Sequence, residues 1–299
     1  MVRVMVHSLR DSALTLPIVV GLSLVPLLLD GAAAAPLGTL PVWAFLAPAA
    51  ELPPRPTRSF APPPQVDYCQ PAREYVERTA GGWTFQLERE LVERYPDRAA
   101  QVVHRLEAKL AATLLLLPEC AREPLRGLSL FVMLGPEATH GGRDNGAEFF
   151  RQIDPDFHAH LDPRWRRAIV LYSAANYLQQ DEHWSVQVLL HEMAHAWHLE
   201  RWPEKQPDVL AAWQNARDRG LYHNVRDVNG TVIPIAYALQ NQLEYFAELS
   251  CIYFWRGEYE PLDRAALQRY DPVGFALIEK LWGVCDPPLP RSPRAGQTE

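Results

Sequence analysis

The chain has 299 residues, 48% of them hydrophobic, and a formal net charge of -7. That composition can supply a core for one large domain or two small ones. The negative balance argues against a nucleic-acid partner, because phosphate binding needs clustered Lys and Arg. The sequence shows no basic stripe, sustained heptads, internal repeat or glycine-rich phosphate loop.

The N-terminus reads as an address. Arg3 and Arg10 give a positive start, "ALTLPIVVGLSLVPLLL" runs uncharged over 13–29, and Asp30 ends it. Ala32, Ala33 and Ala34 offer small residues for a signal peptidase, so residues 1–34 are expected to be a signal peptide and the protein to be secreted, extracellular or periplasmic. The competing reading is an uncleaved anchor, at the short limit of a spanning helix, and membrane contact is expected only in that case. Residues 35–66 are rich in proline, which fixes φ and removes a donor, and read as a semi-rigid linker.

From Tyr68 the spacing of apolar residues predicts helix in "REYVERT" and "FQLERELVERY", then a long helix from Pro96 to Pro118. "LSLFVML" (128–134) predicts a buried strand, "GPEATHGGRDNGAE" (135–148) a polar loop, and "RAIVLYSAANYL" (167–178) a second strand at a sheet edge. A helix follows over "SVQVLLHEMAHAWHLERW", with Asp181 or Ser185 as its cap. "DVLAAWQNARDRG" predicts a helix stopped by Gly220, and the Asn-Gly of "VRDVNGTVIPI" a hairpin. Helices are expected over 241–255, 262–270 and 272–283, and a disordered tail over 287–299. The sum is an α+β, mostly helical domain over 67–286 with a small sheet.

Four cysteines, Cys69, Cys120, Cys251 and Cys285, lack any CxxC spacing and so do not read as a zinc knuckle. Pairing by nearness in sequence gives Cys69–Cys120 and Cys251–Cys285, each stabilising by about 4 kcal/mol in the chain-entropy model. Buried free thiols are the alternative.

The chemistry gathers in "HEMAH". His191 and His195 lie four apart, hence on one helix face, and can aim two imidazoles at one point. Glu192 is one position round from the ligand direction, where a general base can reach an attacking water. A strongly apolar helix leaves such groups stranded unless something satisfies them, and one Zn2+ ion does so. The third ligand sets the class. HExxHxxGxxH fails, because His198 and Arg201 stand where Gly and His are needed. GTxxxD fails, because Ile235 stands where Asp is needed. A downstream helix carrying Glu244 and Glu248, with small Ala247 beside them, remains. In the pattern of glutamate zincins the first acid of such a pair is the ligand, and the second bonds the free nitrogen of a ligand histidine. This makes Glu244 the expected ligand and Glu248 its supporting acid.

"YALQNQLEYFAE" (237–248) beside "HEMAH" resembles the catalytic domain of the anthrax lethal factor family of zinc peptidases, over about residues 165–255. The resemblance implies a zincin-like metallopeptidase fold, a peptide or protein substrate, and a role for Tyr237 in donating its hydroxyl to the oxyanion. Asn241 matches the family's asparagine. It does not imply toxicity, since there is no room for translocation domains. The strand near 168–175 is expected to pair with extended substrate. Two other readings stay open: an inactive zincin-fold binding protein, and a cell-surface protein whose zinc is structural. His140, His158, His160, His183 and His198 are read as ordinary polar or packing residues.

Overall fold

The computed structural model describes residues 66–285. The signal peptide, nearly all of the linker and the C-terminal tail expected from sequence lie outside them. The described part is α+β, about half helical. In chain order it comprises β1 (Tyr75–Ala80), β2 (Trp83–Glu88), α1 (Arg89–Arg94), α2 (Pro96–Leu116), α3 (Glu119–Arg126), β3 (Ser129–Val132), β4 (Ala147–Phe150), β5 (Ala168–Leu171), α4 (Ala174–Gln179), α5 (Glu182–Arg201), α6 (Pro207–Asp218), β6 (His223–Arg226), β7 (Val232–Ile235), α7 (Gln242–Phe254), α8 (Arg264–Tyr270) and α9 (Pro272–Trp282). No helix among the described residues is long and apolar enough to cross a membrane.

The first two expected helices are corrected. "REYVERT" and the start of "FQLERELVERY" form the β1–β2 hairpin, with Ala80 opposite Trp83. Gly81 and Gly82 between them take φ of 56° and 79°, as a two-residue hairpin loop requires. Trp83, Phe85 and Leu87 are buried while Thr84 and Gln86 are half-exposed, so the period here is two. Only the end of that segment, α1, is helical.

The main sheet runs β1-β2-β3-β5-β4, parallel at its centre and antiparallel at both edges. Two further expectations change here. β5 is internal rather than an edge, and it ends at Leu171 because Ser173 caps α4 by accepting from the amide of Asn176. Ala147 and Glu148, assigned to the polar loop, begin the true edge strand β4. Alternation along the strands fills two layers. Leu130, Val132, Phe149, Ile169 and Leu171 face the helices, whereas Phe131, Met133, Phe150 and Val170 meet Tyr68, Trp165 and Tyr172 on the other side.

α5 is buried from Trp184 to Leu199 on every face, its polar residues included. It packs against α2, α3, α7 and β4. Asp181 starts it by accepting from the amide of Trp184, one of the two caps expected. The expected hairpin is β6–β7, its loop closed by Asp227 accepting from the amides of Asn229 and Thr231.

The disulfide expectation is corrected as well. The bridge joins Cys120 in α3 to Cys285 just beyond α9, with Cα atoms 5.5 Å apart, while Cys69 and Cys251 are free. Nearness in sequence failed because α7 turns Cys251 into its contact with α5, where the thiol meets the carbonyl of Gln187 at 3.6 Å. Non-reducing peptide mapping should therefore return one cross-linked pair, Cys120–Cys285, and two alkylatable thiols. Reducing that bridge, which closes a loop of 165 residues, should lower stability by up to about 5 kcal/mol. A Cys251–Cys285 peptide would contradict the arrangement.

Candidate metal centre

Two helices build the centre. α5 presents His191, Glu192 and His195; α7 presents Glu244 and Glu248 one turn apart. Asn241 starts α7: its side-chain oxygen accepts from the amides of Leu243 and Glu244, 2.8 and 3.0 Å away. The asparagine of the sequence motif is thus the cap that orients the first turn, the turn carrying Glu244.

Among the described residues, the grouping of His, Cys, Asp or Glu that converges closely enough to hold a metal ion is His191, His195 and Glu244. His191 Nε2 lies 3.0 Å from His195 Nε2 and 3.0 Å from Glu244 Oε2, and His195 Nε2 lies 3.4 Å from the same oxygen. A tetrahedral zinc with bonds near 2.0–2.1 Å spaces its donor atoms about 3.3 Å apart, so the triangle has the right size. The other Glu244 oxygen, Oε1, is buried without a hydrogen-bond partner, a cost that an ion held by both oxygens would relieve. The donor set of two imidazoles and one carboxylate suits zinc.

Electrostatics tie the groups together. Burial works to raise the Glu244 carboxyl, but the charge of His195 and the bonds from both histidines hold it down, at about 2. Burial works against a charged His191, yet its bonds to Cys251, Glu244 and Glu248 push it well above the ordinary histidine value. Glu248 Oε1 sits 2.9 Å from His191 Nδ1 and so fixes which ring nitrogen faces the centre. The Tyr237 ring lies 6.1 Å from that of His191, in a short turn, Tyr237–Leu239, ahead of α7. Burial, with Glu244 nearby, raises the Tyr237 phenol, which stays protonated. All six residues singled out in the sequence therefore meet at one place.

Glu192 is fully buried and raised by that burial. Its Oε2 accepts from the amide of Phe149, on the edge strand, at 2.7 Å, and its Oε1 has no hydrogen-bond partner. Sequence reasoning missed Phe149, since a backbone contact across 43 residues leaves no residue-type signal. His198 packs against Phe246 and Trp202, and burial takes it to about 4, a neutral packing residue as expected.

No protein-family model matches this chain, and no curated protein matches it in sequence.

Beside the centre, Glu148 on β4 points to the opposite face of the sheet. It bonds Arg143 at 3.2 Å and the Tyr172 hydroxyl at 2.9 Å, and burial raises it to about 7. Its folded pKa lies above the ordinary 4.5, so the folded chain holds this proton more tightly than the unfolded chain. That contribution is complete below about pH 4.5 and is lost as pH rises through about 7. Urea unfolding should thus show the wild type losing about 3 kcal/mol relative to Glu148→Gln between pH 4.5 and pH 7.5. Parallel stability curves across that window would contradict the assignment.

Proposed function

We propose that the chain is an exported zinc-dependent peptidase of zincin-like fold, resembling the lethal factor family in its site. The observation that carries the reading is the buried triangle of His191, His195 and Glu244, with Glu192 beside it. His191, His195 and Glu244 hold the ion, and the charge balance that draws a proton onto His191 draws a divalent cation instead. Zinc supplies, when bound, Lewis acidity that polarises a carbonyl and makes water nucleophilic near neutral pH.

The chain's own groups do the rest. Glu192 Oε2 is held by the Phe149 amide, so Oε1 is the oxygen that takes the proton of the attacking water. Burial raises its affinity for that proton, which it then passes to the leaving amine. The Tyr237 hydroxyl donates to the oxygen of the scissile carbonyl as negative charge develops there. Extended peptide pairs with the edge strand β4, at positions other than the Phe149 amide that Glu192 holds, rather than with internal β5. The Cys120–Cys285 bridge fits an oxidising compartment.

A structural zinc site closes its fourth position with a protein ligand. Among the described residues no fourth His, Cys, Asp or Glu joins this grouping, which favours catalysis over that reading. An inactive binding protein has no use for a base held in place by the edge strand.

Variants separate the roles. His191→Ala and Glu244→Ala should lose both bound zinc and peptide hydrolysis. Glu192→Gln should keep zinc and lose turnover. Tyr237→Phe should keep zinc and KM and lower kcat by about 100–1000-fold. Metal analysis and hydrolysis of a peptide library on the same preparations measure this, and full hydrolysis by Glu192→Gln would overturn the mechanism.

A further inference from the structure

Glu248 supports His191 with one oxygen and is held by the other. Its Oε2 accepts from the hydroxyl of Tyr259 at 2.7 Å. The same phenolic oxygen accepts the backbone N–H of Ala238 at 3.1 Å. Ala238 is the residue after Tyr237, inside the same short turn. A phenol has one proton to give and lone pairs to receive, and both capacities are used here with the correct polarity. One buried oxygen thus bonds the acid that aims a ligand histidine and the turn that presents the oxyanion donor.

Tyr259 is itself held from outside the two site helices. Its backbone bridges to Asp227 at the end of β6. The amide of Val228 reaches the carbonyl of Glu258 at 3.0 Å, and the amide of Glu260 reaches that of Arg226 at 2.8 Å. At Gly257 an added Cβ would come within 2.7 Å of the Tyr259 carbonyl oxygen, so the loop is close-packed there. The segment 257–260 therefore rests on the base of the β6–β7 hairpin, and β7 leads directly into Tyr237.

We propose that Tyr259 is a positioning residue that keeps His191 and Tyr237 in register, acting on the first through Glu248 and on the second through the amide of Ala238. The inference rests on the peptidase reading above. If Tyr259 were only a satisfied core group, its hydroxyl would matter to stability and to nothing else.

The test is Tyr259→Phe in the full chain, alone and with Glu248→Gln. Zinc affinity is read by competition with a chromophoric chelator, kcat and KM on a peptide substrate, and melting temperature on the same samples. In the zinc-free protein the ring nitrogens of 15N-labelled His191 are read by NMR. Tyr259→Phe should weaken zinc about 10-fold, as loss of a partner behind a ligand does. It should also lower kcat with KM unchanged and shift the His191 Nδ1 resonance. In the Glu248→Gln background the zinc effect should vanish, because it travels through that carboxylate, while the kcat effect through Ala238 should persist. A lower melting temperature with unchanged zinc affinity, kcat and His191 resonances would overturn the proposal. Should Tyr259→Phe not fold, 3-fluorotyrosine at position 259 keeps the shape and strengthens the donor; a stationary His191 resonance then overturns it. Were the wild type to bind no zinc and cleave no peptide, the peptidase reading would fail. The metal-free His191 resonance would still decide whether Tyr259 acts through Glu248.

Discussion

The structure depends on one costly contact: α5 and α7 bury five ionisable side chains against each other away from water. His191, Glu192, His195, Glu244 and Glu248 are each at most 7% exposed. An isolated buried charge is strongly unfavourable, so such groups persist only when paired, hydrogen-bonded or coordinated. Here the pairing is nearly closed. Glu248 answers His191, Tyr259 answers Glu248, Phe149 answers Glu192, and Asn241 secures the turn that carries Glu244. What remains unanswered is one oxygen each on Glu192 and Glu244 and the Nδ1 of His195. Glu192 Oε1 and Glu244 Oε1 are the two oxygens that the hydrogen bonds around them leave open.

Around that contact the scaffold is arranged to be rigid. Asp271, fully buried at the start of α9, accepts from the hydroxyls of Tyr222 and Tyr245 with one oxygen and from the amide of Gly274 with the other. A side chain at Gly274 would collide with Leu249 and with the Tyr245 hydroxyl, so α9 sits directly on α7. Trp282 then stacks on Trp197 of α5 with ring centroids 5.2 Å apart and donates its N–H to Ser250 of α7. One helix thereby braces both helices that carry the site, and the Cys120–Cys285 bridge ties the end of α9 to α3. Preorganisation of this kind lets a site hold its geometry without help from substrate.

What the sequence made legible follows from the range of the interactions. His191 and His195, the Asp181 cap, the α7 pair Glu244 and Glu248, and the Asn229–Gly230 hairpin are all set by contacts within a few residues, and periodicity or turn chemistry reveals them. The second strand of the β1–β2 hairpin reads as helix because Leu87, Leu91 and Tyr95 recur every four residues. The Gly81–Gly82 pair was the signal that outweighed it. β4 is four residues long and follows a glycine-rich loop, too short for alternation to register. Phe149, Tyr259 and the true disulfide depend on contacts between segments distant in the chain, which neither residue type nor spacing encodes. The identity of the groups that converge between α5 and α7 is thus readable, and the hydrogen bonds that hold them are not.

The central claim is that the triangle on α5 and α7 is an open zinc site made of nitrogen and oxygen donors. X-ray absorption at the zinc edge on the protein loaded with one equivalent of zinc tests it most directly. The account predicts a shell of two imidazole nitrogens and oxygen donors at about 2.0–2.1 Å, with one oxygen exchangeable for a small anion. Sulfur scattering near 2.3 Å, or a shell of four protein donors that no anion perturbs, would contradict it.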